Sequence, residues 1–239
     1  MMHQTGKLFS LRQKLVTLWN KQNEQSNLKT NLCKFCFKPL NQNSFTYLFR
    51  DDVQMCNKCY SALKPRFKKF YIEGVKGISL YEYSEKFASL LFQFKGCYDY
   101  ELAPLFLERA KFLLRIKYKN FILVPAPSTE ESNMKRGFNH VKEAFKTLKR
   151  PFVCCIYKTR DVKQSSQGKK RKKIKDYLAI KDGEELRNKN VLLVDDVMTS
   201  GSTLKAMINL VSKYKPRRIN ILVLSSVEHD IIHKQNYRN

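Results

Sequence analysis

What the sequence lacks already narrows what the protein can be. No run of about 18 or more apolar residues occurs, so no transmembrane helix is expected. Arg12 and Lys14 interrupt the apolar N-terminal segment, which leaves no signal-peptide core and makes a cytoplasmic location the expectation. Acidic residues are scarce, with 21 Asp and Glu against 46 Lys and Arg and a net charge of +25. Hydrophobic residues are not scarce: at 43%, with 12% aromatic, they exclude a disordered chain.

The basic excess is spread over the whole chain. Residues 1–74 hold 13 basic and 4 acidic residues, and residues 75–239 hold 33 and 17. Such a charge favours association with nucleic acid, phosphorylated small molecules or anionic lipid. A generally lysine-rich composition with no binding role is the alternative.

The chain of 239 residues is long enough for one domain and a small module. Residues 1–30 are predicted to be an extension, with an amphipathic helix around Leu8–Trp19 and a polar linker. Residues 31–74 hold a cysteine-rich module and a basic junction. Residues 75–239 alternate between apolar strands and amphipathic helices. This alternation predicts an α/β domain whose parallel sheet is covered on both faces.

Four of the seven cysteines form two pairs. Cys33 and Cys36 are followed, after nineteen residues, by Cys56 and Cys59. Two such pairs match the spacing of a structural zinc site with four thiolate ligands. An iron–sulfur centre is the alternative, whereas disulfides are disfavoured in a cytosolic chain. Phe45–Phe49 could form one strand of a hairpin between the pairs.

A second pattern, at residues 191–203, reads Val-Leu-Leu-Val-Asp-Asp-Val-Met-Thr-Ser-Gly-Ser-Thr. A buried strand, Val191–Val194, is expected to lead directly into Asp195 and Asp196, and a loop rich in hydroxyl groups then leads into a helix. The amides at such a helix N-terminus can bind a phosphate, and Gly201 lets the backbone close around it. The two carboxylates can accept hydrogen bonds from ribose hydroxyls. The pattern therefore indicates a site for a ribose that carries a phosphate.

This stretch resembles the motif with which type I phosphoribosyltransferases bind 5-phosphoribosyl 1-pyrophosphate (PRPP). The resemblance implies that Asp195 and Asp196 hold the ribose diol. It also implies that the 5-phosphate is held by Thr199, Ser200, Gly201, Ser202 and Thr203. Ser200 departs from the Thr that is common in the family but keeps the hydroxyl group. Magnesium is expected on the pyrophosphate and ribose oxygens.

Further motifs resemble the ComF family of competence proteins, which act in DNA uptake. They are Val124-Pro125-Ala126-Pro127, Arg136-Gly137-Phe138-Asn139 and the four-cysteine module in front of a phosphoribosyltransferase-like domain. The resemblance implies that Arg136 faces pyrophosphate, with Lys135 beside it, so that any catalysis would involve Asp195, Asp196 and Arg136. His140 stands where family members often have Gln.

A lysine-rich segment resembles the flexible loop of that family. Gln164-Ser165 precede it, and its basic residues are Lys169, Lys170, Arg171, Lys172 and Lys173. The segment is expected either to close over the site as a lid or to be a solvated or nucleic-acid-facing loop.

A basic stretch in the junction suggests a nucleic-acid surface. Lys64, Arg66, Lys68 and Lys69 are interleaved with Phe67, Phe70 and Tyr71, which suits backbone neutralisation with base stacking. The alternative is a junction whose aromatic side chains pack inward.

Three functions are compatible with these observations. The preferred hypothesis is a competence protein that binds PRPP with Mg²⁺ and also binds single-stranded DNA. The second is an active phosphoribosyltransferase of nucleotide salvage, for which no acceptor base can be identified. The third is a non-catalytic adaptor whose cysteine module and N-terminal helix contact a competence helicase or another part of the uptake machinery.

Overall fold

The computed structural model describes residues 32–40, 55–159 and 178–227. The main sheet has five strands in the order β1-β2-β7-β6-β3. Its strands are β1 (Lys68–Ile72), β2 (Val75–Glu82), β3 (Phe121–Pro125), β6 (Asn190–Met198) and β7 (Arg218–Ser226). β4 (Ile156–Lys158) and β5 (Leu178–Ile180) form a separate antiparallel pair.

Four strands of the main sheet, β2, β7, β6 and β3, are parallel, as the apolar runs predicted. β1 departs from the prediction, because it pairs antiparallel with β2 across a tight turn at Glu73 and Gly74. Both turn residues have positive φ angles, which is typical of a short hairpin connection. The sheet thus begins at Lys68, on the N-terminal side of the predicted domain boundary at residue 75.

The helices connect these strands. They are α1 (Asn57–Ala62), α2 (Glu85–Lys95), α3 (Lys111–Lys117), α4 (Glu130–Arg136), α5 (His140–Phe145) and α6 (Ser202–Ser212). Short 3₁₀ segments lie at Tyr100–Phe106, Lys146–Leu148 and Gly183–Leu186.

Two of the predicted elements differ from the structure. The apolar periodicity of residues 102–117 predicts a single helix with Pro104 in its first turn. The structure instead has a 3₁₀ segment that contains Pro104, followed by α3. Proline has no amide hydrogen for an α-helical bond, which disfavours a continuous helix there. Residues 152–157 are rich in β-forming side chains, which predicts a strand over the whole stretch. The observed strand begins only at Ile156, although Phe152 bridges to Leu123 of β3.

Apolar side chains cover both faces of the sheet. One face packs Leu80, Leu192 and Leu222 under α2 and the 3₁₀ segment at Tyr100–Phe106. The other face packs Val191 and Val223 under α6. The predicted fold class, a mostly parallel α/β sheet preceded by a small cysteine module, is confirmed.

Some predicted features lie outside the described residues. They are the N-terminal helix and linker at 1–30, the strand at Phe45–Phe49 and the basic segment Lys169–Lys173. Within the part of the chain that the structure describes, no helix is long and apolar enough to cross a bilayer.

Candidate functional site

The four paired cysteines come together in space, as their spacing predicted. The sulfur atoms of Cys33, Cys36, Cys56 and Cys59 all lie within 4.8 Å of one another. The Sγ atoms of Cys36 and Cys56 are 3.7 Å apart, too far for a disulfide bond. Four sulfurs at about 2.3 Å from one tetrahedral Zn²⁺ would be about 3.8 Å apart. The donor set therefore fits a structural zinc ion.

The cysteine module is packed against the larger domain. Cys33, Met55 and Leu63 belong to the same apolar cluster as Leu80 and Phe106. Arg109 donates a hydrogen bond of 2.8 Å to the Tyr60 carbonyl, and its guanidinium lies 4.5 Å from the Tyr60 ring centre. The module thus shares a hydrophobic core with the larger domain and is not a separate unit joined only by a linker.

Asp195 and Asp196 lie near the carboxyl end of β6, but inside the strand. The sequence predicted a strand that ended at Val194, whereas β6 continues to Met198. Ligands of parallel α/β sheets bind at this end of the strands. Together with Ala126 and Thr203, these carboxylates line a cleft of about 260 Å³.

Asp196 is held by two cationic or hydrogen-bonding side chains. Lys95 at the end of α2 places its Nζ atom 2.6 Å from Asp196 Oδ2, and His140 Nε2 lies 3.1 Å from the same oxygen. The other ring nitrogen, Nδ1, is 3.3 Å from Ser128 Oγ. We assign the Nε2–H tautomer, in which His140 donates to Asp196 and accepts from Ser128. Lys95, Ser128, Arg136, His140, Asp195 and Asp196 define the carboxylate cleft.

Burial and charge shift the pKa values in this cleft. Burial opposes ionisation of Asp196, but the contacts from His140 and Lys95 hold its pKa below the usual range. Burial and the neighbouring Asp196 charge raise the pKa of Asp195 well above its usual value. Burial lowers the pKa of His140, helped by Lys95 and Arg136 and opposed by Asp196. His140 is therefore neutral at pH 7, in agreement with the assigned tautomer.

The guanidinium group of Arg136 is only partly satisfied by hydrogen bonds to the described residues. Its Nε atom is buried and has no hydrogen-bond partner among the described residues. The Nη2 atom donates a long hydrogen bond of 3.5 Å to Asn133 Oδ1. Burial lowers the Arg136 pKa, although the Asp196 charge opposes this. A buried donor without a partner costs about 1–3 kcal/mol, which an anionic ligand could recover.

The turn after β6 has the backbone that the sequence predicted. Gly201 has a φ angle of +69° and precedes α6, whose N-terminus receives no capping bond from the Gly201 position. Ser200 and Ser202 place their Oγ atoms 2.8 Å apart, and Thr203 faces the carboxylate cleft. The Ser202 amide makes a long hydrogen bond of 3.5 Å to Ser200 Oγ. Amides and hydroxyls at the start of an eleven-residue helix suit a phosphate.

Lys135 and the basic residues predicted for a nucleic-acid surface lie outside the carboxylate cleft. Lys135 is exposed and does not line the cleft, although it neighbours Arg136. Lys64, Arg66, Lys68 and Lys69 are exposed on or just before the edge strand β1. Phe67 and Phe70 pack inward, whereas Tyr71 keeps 58% of its surface exposed.

Sequence reasoning missed Lys95 and Ser128. Lys95 is 101 residues from Asp196 along the chain, and nothing in its local pattern marks it. The sequence marks His140 only as a departure from the family pattern, which does not predict its contact with Asp196. Its position directly after Asn139, in the motif that carries Arg136, was the signal available.

The chain is similar to known proteins over its C-terminal part. Residues 134–238, which include Arg136 and the whole turn after β6, match the family model of the phosphoribosyl transferase domain. This part of the chain is similar to a phosphoribosyl transferase domain. A curated relative, the competence protein ComFC of Bacillus subtilis (strain 168), is 28% identical over 128 residues, which are 53% of each chain. With the four-cysteine cluster, this similarity confirms the predicted resemblance to the ComF family.

The match spans about half the length of that relative. Weaker similarity extends to solved structures. A hypoxanthine phosphoribosyltransferase of Staphylococcus aureus is 16% identical, with a TM-score of 0.35, and the alignment covers 59% of this chain and 85% of that one. A phosphoribosylpyrophosphate synthetase of Mycobacterium smegmatis is 16% identical, with a TM-score of 0.32, covering 50% and 34%.

Proposed function

We propose that the protein is a cytoplasmic competence protein of the ComF type that acts in DNA uptake. In this proposal it binds PRPP with Mg²⁺ in the carboxylate cleft and single-stranded DNA at a basic surface. The similarity to ComFC supports the competence role. The observation that carries the ligand assignment is the buried, unpartnered Nε of Arg136, which shares a cleft with two carboxylates.

The chemistry of the cleft matches the parts of PRPP. The turn Thr199–Thr203 suits the 5-phosphate, and Asp195 and Asp196 suit the ribose diol. Arg136 suits the pyrophosphate, whose charge would satisfy its free donor. Lys95 is a second cation at the same place, with its side chain 35% exposed. A pyrophosphate group would compete with Asp196 for this lysine.

Magnesium fits the same arrangement. Mg²⁺ usually takes substrate phosphates and one or two carboxylates while keeping several waters. Lys95 and His140 both contact Asp196 and not Asp195, so Asp195 is the carboxylate of the pair that has no ion pair with either side chain. Burial and the Asp196 charge raise the pKa of Asp195. A cation beside Asp195 would lower that pKa again and so favour the ionised carboxylate. Magnesium would thus neutralise charge that the protein's own residues do not neutralise.

Calorimetric titration with PRPP and Mg²⁺ tests the proposal. We expect the unmodified protein to bind, and Asp195→Asn combined with Asp196→Asn to abolish binding. Asp99→Asn combined with Asp182→Asn is the matched control, because it removes the same charge outside the cleft. Equal binding by both double variants would contradict the assignment. Pyrophosphate release on adding a nucleobase would instead favour the salvage enzyme.

A further inference from the structure

A second cleft lies at the opposite end of the sheet from the carboxylate cleft. It has a volume of about 350 Å³ and is formed by Lys76, Lys117 and Arg218 around Tyr118, Phe121 and Asn220. We call it the amino-end cleft, because these residues lie at or near the amino ends of β2, β3 and β7. We propose that this cleft is a binding site for single-stranded nucleic acid.

The strand register places these residues on one face. Lys76 of β2 pairs with Tyr71 of β1, and Gly77 pairs with Ile221 of β7, so Lys76 and Asn220 lie level in the sheet. Alternate residues along the same strands, Ile78 and Leu222, are buried on the α2 face. The amino-end cleft is therefore the part of that face that the helices do not cover.

The charge of the cleft suits a polyanion. Lys76, Lys117 and Arg218 are exposed, and none of the described residues that line the cleft is acidic. None of the three forms an ion pair with another described residue. Further exposed cations, Lys215 and Arg217, line an adjoining groove that shares Lys76 and Arg218. Several cations in a row can neutralise successive phosphates of a strand.

Aromatic groups lie between these cations. Tyr118 and Phe121 are buried and form only the apolar floor, with ring centres 5.2 Å apart and an interplanar angle of 84°. The ring that a base can reach is therefore that of Tyr71. The Lys117 Nζ atom lies 5.9 Å from the Tyr118 ring centre. Tyr71, exposed beside Lys76, offers a free ring at the rim. Single-stranded nucleic acid binds where aromatic rings that stack with bases adjoin a positively charged groove.

The position leaves the carboxylate cleft accessible. Arg218 lies level with Asn190 of β6, five residues before Asp195. At about 3.3 Å per residue, the two ends are about 17 Å apart along the strand. A nucleic acid in the amino-end cleft and PRPP in the carboxylate cleft can therefore be bound together. The inference rests on the proposed DNA binding. It places the centre of the DNA site in the amino-end cleft and not at the Lys64–Lys69 stretch.

Fluorescence anisotropy with a labelled single-stranded oligonucleotide tests the site. Lys76→Gln with Arg218→Gln should weaken binding. It should also reduce the slope of log affinity against log salt by about 1.4, at about 0.7 for each lost phosphate contact. Lys86→Gln with Lys181→Gln is the matched control, since both lysines are exposed and lie outside the cleft. The control should bind like the unmodified protein.

Tyr71→Ala tests the stacking contribution separately. It should weaken binding by about 5- to 150-fold without changing the salt slope. Thermal melting of each variant checks that the fold is intact. If the unmodified protein does not bind the oligonucleotide, both the proposed DNA function and this site are wrong.

If the unmodified protein binds but the cleft pair and the control pair behave alike, only this site is wrong. Binding to phosphatidylserine vesicles that is lost in the cleft variants, with oligonucleotide binding unchanged, would overturn it in favour of a membrane surface.

Discussion

A buried histidine connects the phosphoribosyl motif to the rest of the site. The carboxylates Asp195 and Asp196 could be predicted from the sequence because they follow an apolar run directly. The partners of Asp196 could not, because Lys95 and His140 come from two other helices and meet it only through the fold. Local periodicity shows which helix face is buried but not which polar side chain it places beside a distant strand.

The tautomer assigned to His140 predicts how stability depends on pH. The folded-state pKa of His140 is lowered, so the unfolded chain binds protons more readily below pH about 6.5. The contribution of His140 to the free energy of unfolding is therefore fully present above that pH and is lost as the pH falls below it. The folded-state pKa of Asp196 is also lowered. Its contribution to stability is therefore also lost as the pH falls, but only below about pH 4, where an Asp of the unfolded chain binds a proton. Asp195, with its raised pKa, opposes both.

His140→Gln should therefore flatten the stability profile between pH 7 and 5. Glutamine keeps an N–H donor for Asp196 but does not titrate. His140→Leu should instead cost about 1–3 kcal/mol at pH 7.5, because it leaves a buried carboxylate with one donor fewer. Urea unfolding at several pH values measures both effects. A His140→Gln profile as steep as that of the unmodified protein would show that the histidine is not the titrating group.

At the scale of the element, the turn between β6 and α6 was the most predictable part of the structure. The sequence Thr-Ser-Gly-Ser-Thr after an apolar run predicted a glycine turn and a helix start, and both are present. The length of β6 was predicted less well, because side-chain polarity suggested an end at Val194. The backbone pairing with β7 continues to Met198 regardless of those polar side chains.

Gly201→Ala should affect both stability and ligand binding. The residue has a left-handed conformation, which costs a side chain about 1–2 kcal/mol, and a Cβ atom there would lie 3.1 Å from Ile72 Cδ1. The shift needed to relieve this contact would move the amides that are proposed to bind the phosphate. We expect a lower unfolding free energy and weaker PRPP binding, measured by denaturation and calorimetry.

Gly74→Ala is the matched control for that variant. Gly74 has a φ angle of +75°, and no atom lies within 4 Å of the added Cβ. It should show the conformational cost without the loss of PRPP affinity. If both variants bind PRPP as the unmodified protein does, the turn does not hold the phosphate.

At the scale of the whole molecule, the sequence predicted two units but not how they fit together. The alternation of strands and helices was sufficient for the α/β fold, and the cysteine spacing was sufficient for the module. The packing of Cys33, Met55 and Leu63 against Leu80 and Phe106 could not be predicted, because each of these side chains is simply apolar. Because the core is shared, we expect the stability of the domain to depend on a metal ion bound by the four cysteines.

Removal of zinc should therefore destabilise the whole protein in one step. Protein purified without added metal should contain about one zinc per chain, and less than half an equivalent would contradict the site. Cys36→Ser, or chelation of the metal, should lower the melting temperature with a single transition, since the module and the domain share one apolar cluster. Cys97→Ser, at an exposed thiol, is the control and should melt like the unmodified protein. Two separate transitions in scanning calorimetry, with the domain unaffected by chelation, would show that the module folds independently.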